Sequence, residues 1–203
     1  MTGRIHHFFL LTLLLFAGRI HAQSGYSLGD AITNFTVKGT DGRPVSLTDY
    51  GSQKGVILIF TSNHCPFSRT YEDRIQALNQ RFAPLGYPVL AIMANDPAAY
   101  EEDSFANMQR RATEQNYSYS YTMDESQQVA RRFGATRTPQ AFVLKRAADQ
   151  FVLEYMGAID DNPQDPSGVQ RQYVSDAVTS LLARRPVATP ITKAVGCAIK
   201  LRS

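Results

Sequence analysis

Val56-Ile57-Leu58-Ile59-Phe60, continuing into Thr61-Ser62-Asn63-His64-Cys65-Pro66-Phe67-Ser68, is the stretch on which the fold turns. Five consecutive apolar residues, mostly β-branched or aromatic, suit a strand buried on both faces, as in the middle of a parallel sheet. Pro66 suits the first position of a helix, where its missing N–H costs no hydrogen bond. From there Phe67, Tyr71, Ile75, Leu78 and Phe82 recur along one face of a 3.6-residue period. Cys65 is therefore expected at the helix N-cap. Free first-turn N–H groups and the helix dipole favour an anion at that place, and the thiolate is the reactive form of cysteine. His64, beside it, would add positive charge or shuttle a proton. The competing reading is a buried, inert cysteine next to a surface histidine, although N-caps are seldom filled by cysteine for packing.

Outward from this unit, strand and helix signals alternate. Upstream, Tyr26 to Tyr50 is turn-rich and predicts a short strand and a turn before the main fold. Downstream, Pro88 to Met93 predicts a second buried strand, ended by Asn95-Asp96-Pro97. Phe105, Met108 and Ala112 predict a helix, and Tyr119 to Thr122 a short strand. Asp124 to Phe133 predicts a compact helix with Asp124 as cap, Gln127 three residues on and Gly134 as stop. Ala141 to Leu144 and Phe151 to Met156 predict two strands joined by a polar turn at Lys145 to Gln150. A last helix is expected over Val169 to Ala183, closed by Arg184-Arg185 and Pro186. The 187–203 tail has no clear period. The pattern predicts an α/β domain: a central mixed sheet of four to five strands, helices on both faces and an antiparallel edge.

Composition narrows the function classes. The 203 residues carry 21 Lys+Arg against 18 Asp+Glu, too slight an excess to argue for nucleic acid. Two cysteines make no disulfide scaffold, and there is no Cys-x-x-Cys pair to begin a zinc site. Arg4, the apolar block Phe8 to Ala17 and small Ala22 read as a secretory signal peptide over residues 1–22. The block is about half the ~20 residues a membrane span needs, so stable insertion is not expected after cleavage. An uncleaved membrane anchor is the alternative. Removal of residues 1–22 takes away Arg4 and Arg19, so the formal charge falls from +3 to +1. It also takes three of the four histidines (His6, His7 and His21) and leaves His64 beside Cys65. The expected location is periplasmic or secreted, where thiols pair or do redox work. The expected division is residues 1–22 as signal, 23–186 as one domain and 187–203 as a tail carrying Cys197.

Phe60 to Ser68, together with Gly134-Ala135-Thr136-Arg137-Thr138-Pro139, resembles the thioredoxin-like superfamily. The resemblance implies a thioredoxin-like fold, an active-site cysteine at Cys65 and a cis-proline at Pro139, with Thr138 and Pro139 shaping the substrate groove. Leu28-Gly29-Asp30, Phe35, Asp41-Gly42 and Leu47 resemble the redoxin (AhpC/TSA-like) branch, which includes peroxiredoxins and extracytoplasmic thiol–disulfide oxidoreductases. Asn63 to Pro66, Asn95-Asp96, Gly157 to Asn162 and Gly196-Cys197-Ala198-Ile199-Lys200 resemble exported redoxin-domain proteins. Two departures stand out. Ser68 occupies the place of the second cysteine of Cys-x-x-Cys, so the usual internal disulfide cannot close. Leu58 and Ser62 stand where the peroxiredoxin pattern has proline and threonine, although Ser62 can still donate a hydrogen bond.

Cys197, 132 positions from Cys65, is the remaining thiol. If the tail folds back, Cys197 would resolve a mixed disulfide or a sulfenic acid on Cys65. A static disulfide, an intermolecular pair and a buried thiol are the competing readings. His64, Ser68 and Arg137 are expected to tune the Cys65 sulfur. Asp160-Asp161-Asn162 is a weak cation candidate, more simply a capping loop. His64, Cys65 and Cys197 are poorly spaced for copper or zinc. Arg131-Arg132 look like a solvated face. The expected activity is thiol–disulfide exchange without metal or other cofactor, with a thiol or disulfide protein or a small-thiol reductant as partner. The alternatives are a thiol peroxidase acting on peroxide, and a non-catalytic binding module that kept the fold.

Overall fold

The structure, a computed structural model, describes residues 25–202. The expected signal peptide and its cleavage site lie outside the described residues. In chain order the strands begin with β1 (Ala31–Ile32), β2 (Thr36–Gly39) and β3 (Pro44–Ser46), followed by a 3-10 turn at Leu47–Tyr50. The apolar run is β4 (Gly55–Thr61), and α1 (Pro66–Phe82) follows it with Cys65 at its N-cap. Then come β5 (Val89–Met93), α2 (Phe105–Glu114), β6 (Ser120–Met123), α3 (Gln128–Phe133) and β7 (Arg137–Thr138). The chain closes with β8 (Gln140–Ala147), β9 (Gln150–Gly157), α4 (Tyr173–Leu182) and β10 (Cys197–Ala198).

The main sheet has eight strands in the order β1-β9-β8-β4-β5-β6-β2-β3, where the sequence led us to expect four to five. The expected short upstream strand is β2, and the edge strands β1 and β3, of two and three residues, are too short to carry a period of their own. β4, β5 and β6 run parallel, and β8 and β9 pair antiparallel on one side, so the sheet is mixed.

Alternation along β4 divides the core into two layers. Ile57 and Ile59 face Tyr71, Ile75, Leu78 and Phe82 of α1, Met108 of α2 and Val174, Ala177 and Val178 of α4. Val56, Leu58 and Phe60 face Val129, Ala130 and Phe133 of α3, with Ile32, Phe35 and Leu47 from the first strands. Both faces are therefore covered, which is what a strand without a polar side requires. Arg111 of α2 grips Glu72 of α1 through two short bonds, Nε to Oε1 at 2.6 Å and Nη2 to Oε2 at 2.7 Å.

Several local expectations shift. Ser68 rather than Phe67 begins the buried stripe of α1. α3 starts at Gln128, because Gln127 turns left-handed at φ 60° and the Asp124 carboxylate accepts from the Ala130 N–H instead of capping a longer helix. β8 and β9 extend through the stretch expected as a turn, leaving only Ala148 and Asp149 between them. α4 begins at Tyr173, since Val169 to Gln172 is spent on a 3-10 cap and an extended link. Arg131 and Arg132 are not an idle solvated face. Arg131 donates to the Arg202 carbonyl, and Arg132 reaches the Tyr26 hydroxyl and the Thr33 carbonyl, tying the tail and the Tyr26–Thr33 segment to α3.

Buried phenols set an alkaline limit. Burial, helped by the nearby Glu154 carboxylate, pushes the Tyr87 phenol up to about 12. Burial raises Tyr71, Tyr117, Tyr119, Tyr121 and Tyr155 as well. The folded chain then holds protons that the unfolded chain, with phenols near ~10, releases. Stability present below pH ~10 is lost as the pH rises toward 12. Tyrosinate absorbance from these rings is expected to appear together with the loss of helical circular dichroism. Titration of all tyrosines near pH 10 with the helical signal intact would contradict this.

Candidate active site

The turn from β4 into α1 is seated on one buried carboxylate. Asp103, fully buried, accepts from Ser62 Oγ at 2.8 Å, from the Asn63 N–H at 2.6 Å, from the His64 N–H at 3.3 Å and from Asn95 Nδ2 at 2.6 Å. Ser62 Oγ in turn accepts from the Cys65 N–H at 3.1 Å. Asn63 is pinned on its own account, donating to the Glu102 carbonyl and accepting from the Tyr121 hydroxyl at 2.8 Å. The carboxylate fixes the backbone that carries Cys65. Replacing Asp103 by alanine would strand buried donors, each costing about 1–3 kcal/mol, so we expect a stability loss of roughly 3 kcal/mol or more in urea titration. A loss below ~1 kcal/mol would mean that the turn holds itself.

Cys65 has no exposed surface. Its sulfur lies 3.1 Å from the Thr138 carbonyl oxygen. Pro66 has no N–H and the Arg69 N–H is bonded to the Cys65 carbonyl, which leaves Phe67 and Ser68 as first-turn amides. The Thr138–Pro139 peptide is cis. Cys197 lies opposite Cys65, their Cα atoms 5.9 Å apart, and the two form a disulfide. The pairing works because β10 lies antiparallel on β7, with Cys197 opposite Thr138 and Ala198 opposite Arg137.

Hydrogen bonds hold the tail on both sides of Cys197. Before it, Met156 and the 190–192 segment exchange backbone bonds of 3.0 Å. After it, the Ile199 N–H donates to the Thr136 carbonyl, and the Lys200 carbonyl accepts from the Asp96 N–H and from Gln127 Nε2. The Lys200 N–H donates to Asn95 Oδ1, and the Arg202 N–H donates to Gln127 Oε1 at 2.6 Å. Asn95 thus bonds both the Cys65 seat and the Cys197 strap.

Gly196 is the point of closest approach. A Cβ there would collide with the Thr138 carbonyl, whose carbon would be 2.7 Å away. Gly196→Ala is expected to lift the strap from β7 and slow closure of the disulfide by about tenfold or more, an opening of ~1.4 kcal/mol. Rapid-quench alkylation of the reduced protein after addition of an oxidant measures this, and an unchanged rate would show that the strap has slack.

The residues singled out from the sequence divide into two groups. Cys65, Cys197, Thr138 and Pro139 meet. Ser68, fully buried three residues into α1, has an unpartnered hydroxyl, as does Thr138. Arg137 is exposed and points Nη1 at the Gly196 carbonyl, at 3.5 Å. His64 turns away: its ring stacks on Tyr100 at 3.7 Å, and Nδ1 faces Glu102 at 3.3 Å; backbone hydrogen bonding first, and then His64, lowers that carboxyl. Asp160 is occupied by Arg74 Nη1 at 2.7 Å and the Tyr71 hydroxyl at 2.6 Å, which favours the capping-loop reading over a cation site. Asp103 was not singled out from the sequence, and Gln127 only as part of a helix cap, not as a residue of the site. In Glu101-Glu102-Asp103 nothing marks the third acid as the buried one.

A model of the AhpC/TSA family matches residues 28–160, well over half the chain. The structure is similar to that of an uncharacterized conserved protein from Geobacillus kaustophilus, with a TM-score of 0.80 and 32% identity over 87% of this chain and 93% of that one. It also resembles an exposed lipoprotein thioredoxin of Streptococcus pneumoniae, at a TM-score of 0.55 and 18% identity, covering 75% and 99% of the two chains. At that identity the likeness concerns the fold, which is thioredoxin-like. Among curated proteins, a chloroplastic peroxiredoxin Q of Gentiana triflora is 24% identical over 119 residues, 59% of this chain and 51% of that protein. The match spans about half of that relative's length.

Proposed function

The chain belongs to the AhpC/TSA family of thioredoxin-superfamily redoxins, and on that footing we propose that it is an exported thiol–disulfide oxidoreductase in which Cys65 attacks and Cys197 resolves. The observation that carries the reading is the meeting of these two cysteines, 132 residues apart, at a helix N-cap beside a cis-proline. The family supports a redox enzyme; the division of roles is our inference.

In the reduced protein the Cys65 thiolate attacks one sulfur of a substrate disulfide, and the other substrate sulfur leaves as a thiolate and takes up a proton. The Cys197 thiolate then attacks the Cys65 sulfur, closing the intramolecular disulfide and releasing the second substrate thiol. Two electrons pass from the protein to the substrate. The Phe67 and Ser68 amides and the dipole of α1 stabilise the Cys65 anion. The Ser68 and Thr138 hydroxyls are buried without partners in the oxidised state and are the two groups left to turn toward the sulfur once it is free. Arg137 acts on the strap through the Gly196 carbonyl, and His64 acts on the loop that carries Glu102. Export rests on the 1–22 segment, and among the described residues no helix is long and apolar enough to cross a membrane.

Catalysed reduction of insulin disulfides by dithiothreitol, set beside consumption of hydrogen peroxide, tests the reading. Disulfide turnover above the uncatalysed rate supports it. Peroxide turnover exceeding disulfide turnover favours the peroxidase reading, which the peroxiredoxin Q relative keeps in view, although the Ser62 hydroxyl donates to Asp103 and not to the sulfur. Neither activity, together with alkylation of reduced Cys65 that half-titrates near the ordinary ~8.5, would leave a binding module.

A further inference from the structure

We infer that Thr192 and Gln127 are positioning residues of the redox couple, fixing the two ends of the 193–199 segment. On reduction that segment opens as a short flap, which uncovers Cys65 and keeps Cys197 within closing range. This rests on the Cys65–Cys197 couple proposed above. The need for an opening is steric: with the tail in place Cys65 has no exposed surface, and a thiolate can exchange only with a disulfide that reaches it. The need for a limit is kinetic, because Cys197 must return before an external thiol reaches the mixed disulfide on Cys65.

The tail is held unevenly. Thr192 Oγ1 accepts from the Ala158 N–H at 2.9 Å and bonds the hydroxyl of buried Tyr155, while the Thr192 N–H donates to the Met156 carbonyl at 3.0 Å. Gly157 makes room for this contact, since a Cβ there would stand 2.8 Å from the Thr192 carbonyl carbon. At the other end Gln127, 2% exposed, donates from Nε2 to the Ala94 and Lys200 carbonyls at 2.8 and 3.0 Å. Its Oε1 accepts from the Arg202 N–H at 2.6 Å, so both amide hydrogens and the oxygen are committed. The Asp96 N–H and Asn95 Oδ1 add bonds of 2.8 Å to the Lys200 carbonyl and N–H. Between these ends the hold is slighter among the described residues. β10 pairs with β7 over two residues, the Ile199 N–H donates to the Thr136 carbonyl, and Arg137 Nη1 reaches the Gly196 carbonyl at 3.5 Å. Lys193, Val195 and Ala198 are exposed. The disulfide closes this middle part, and its reduction releases the middle before the ends.

Chain geometry sets the range of the flap. Cys197 is three residues from Lys200, and an extended chain spans at most ~3.6 Å per residue. The Cys197 Cα therefore stays within about 11 Å of the Lys200 anchor however the flap moves. That clears the Cys65 sulfur for substrate and holds the resolving thiol at a high effective concentration, which falls as a tether lengthens. Released at Lys200, Cys197 is limited only by Thr192, five residues away; released at Thr192, the slack runs back to α4.

The reduced full chain, mixed with one equivalent of an aromatic disulfide, releases one coloured thiol as Cys65 attacks and a second as Cys197 displaces it from the Cys65 sulfur. Thr192→Val should slow the second release by about fivefold, the equivalent of one hydrogen bond, and Gln127→Met by about tenfold or more. The first release should be unchanged, and the equilibrium with glutathione should shift toward the dithiol by similar factors. Thr192→Ser, which keeps the hydroxyl, should close as fast as the natural chain. An unchanged second release, equal slowing of both releases, or Thr192→Ser as slow as Thr192→Val would overturn the positioning roles. Amide exchange read residue by residue should show, on reduction, protection lost at Ile199 and kept at Thr192, Lys200 and Arg202. Loss at all four, or at none, would overturn the flap. If the natural chain releases only the first thiol, the Cys65–Cys197 couple itself fails, an outcome distinct from each of the others.

Discussion

Cys65→Ser is expected to abolish disulfide turnover, with a loss of at least about a thousandfold, because a serine hydroxyl near neutral pH is not a nucleophile toward sulfur and no neighbouring group substitutes for it. The control is Cys197→Ser. Both variants lack the intramolecular bond, so both lose whatever stability it confers, but only Cys197→Ser retains the stabilised thiolate at the N-cap of α1. That variant should complete the first step and stop, accumulating a mixed disulfide on Cys65. Equal losses in both variants without a trapped adduct in Cys197→Ser would mean that Cys65 is not the attacking sulfur.

The second large effect is on stability. The bond closes a separation of 132 residues. In the chain-entropy account a loop of that length restricts the unfolded ensemble by about 5 kcal/mol. For a domain of this size each kcal/mol moves the midpoint by about 2–4 °C, so reduction should lower Tm by roughly 10 °C or more. Calorimetry on the oxidised chain, the reduced chain and Cys197→Ser measures it. The main sheet and the helices beneath the strap do not depend on the sulfur–sulfur bond, so the reduced fold should remain native in its circular dichroism even where the strap lifts to expose Cys65. A midpoint change under ~2 °C would contradict the disulfide's place in the folded state.

How much of this could be read from the sequence depended on range. The β4–α1 unit was legible because its evidence is local: a five-residue apolar run, a proline at the first helical position and a continuous apolar stripe. The cis bond at Thr138–Pro139 was legible only through resemblance, since Thr-Pro by itself does not favour the cis form. The edge strands β1 and β3 are not legible because two or three residues carry no period. α3 was over-extended because Asp124 looks like a cap, whereas its carboxylate serves the Ala130 N–H from six residues away. The site hid its support for the same reason. Asp103 stands in an acidic run, and only the fold carries it under the Ser62–Cys65 turn. Gln127 looks like half of a capping box, and only the folded tail brings Lys200 and Arg202 to its amide. Cys197 was visible as a residue, but its register opposite Thr138 follows from Gly196 passing close to a backbone carbonyl, and a lone Gly-Cys pair does not announce that approach.

The central claim is that Cys65 and Cys197 are one redox couple, and the most direct measurement is intact mass after thiol alkylation under denaturing, non-reducing conditions, through one full cycle. The account predicts no alkylation of the oxidised monomer, two alkylations after a dithiol, and none again after one equivalent of a disulfide or peroxide oxidant, with the chain still monomeric. Two free thiols surviving the oxidant, or a bond found only between chains, would contradict it.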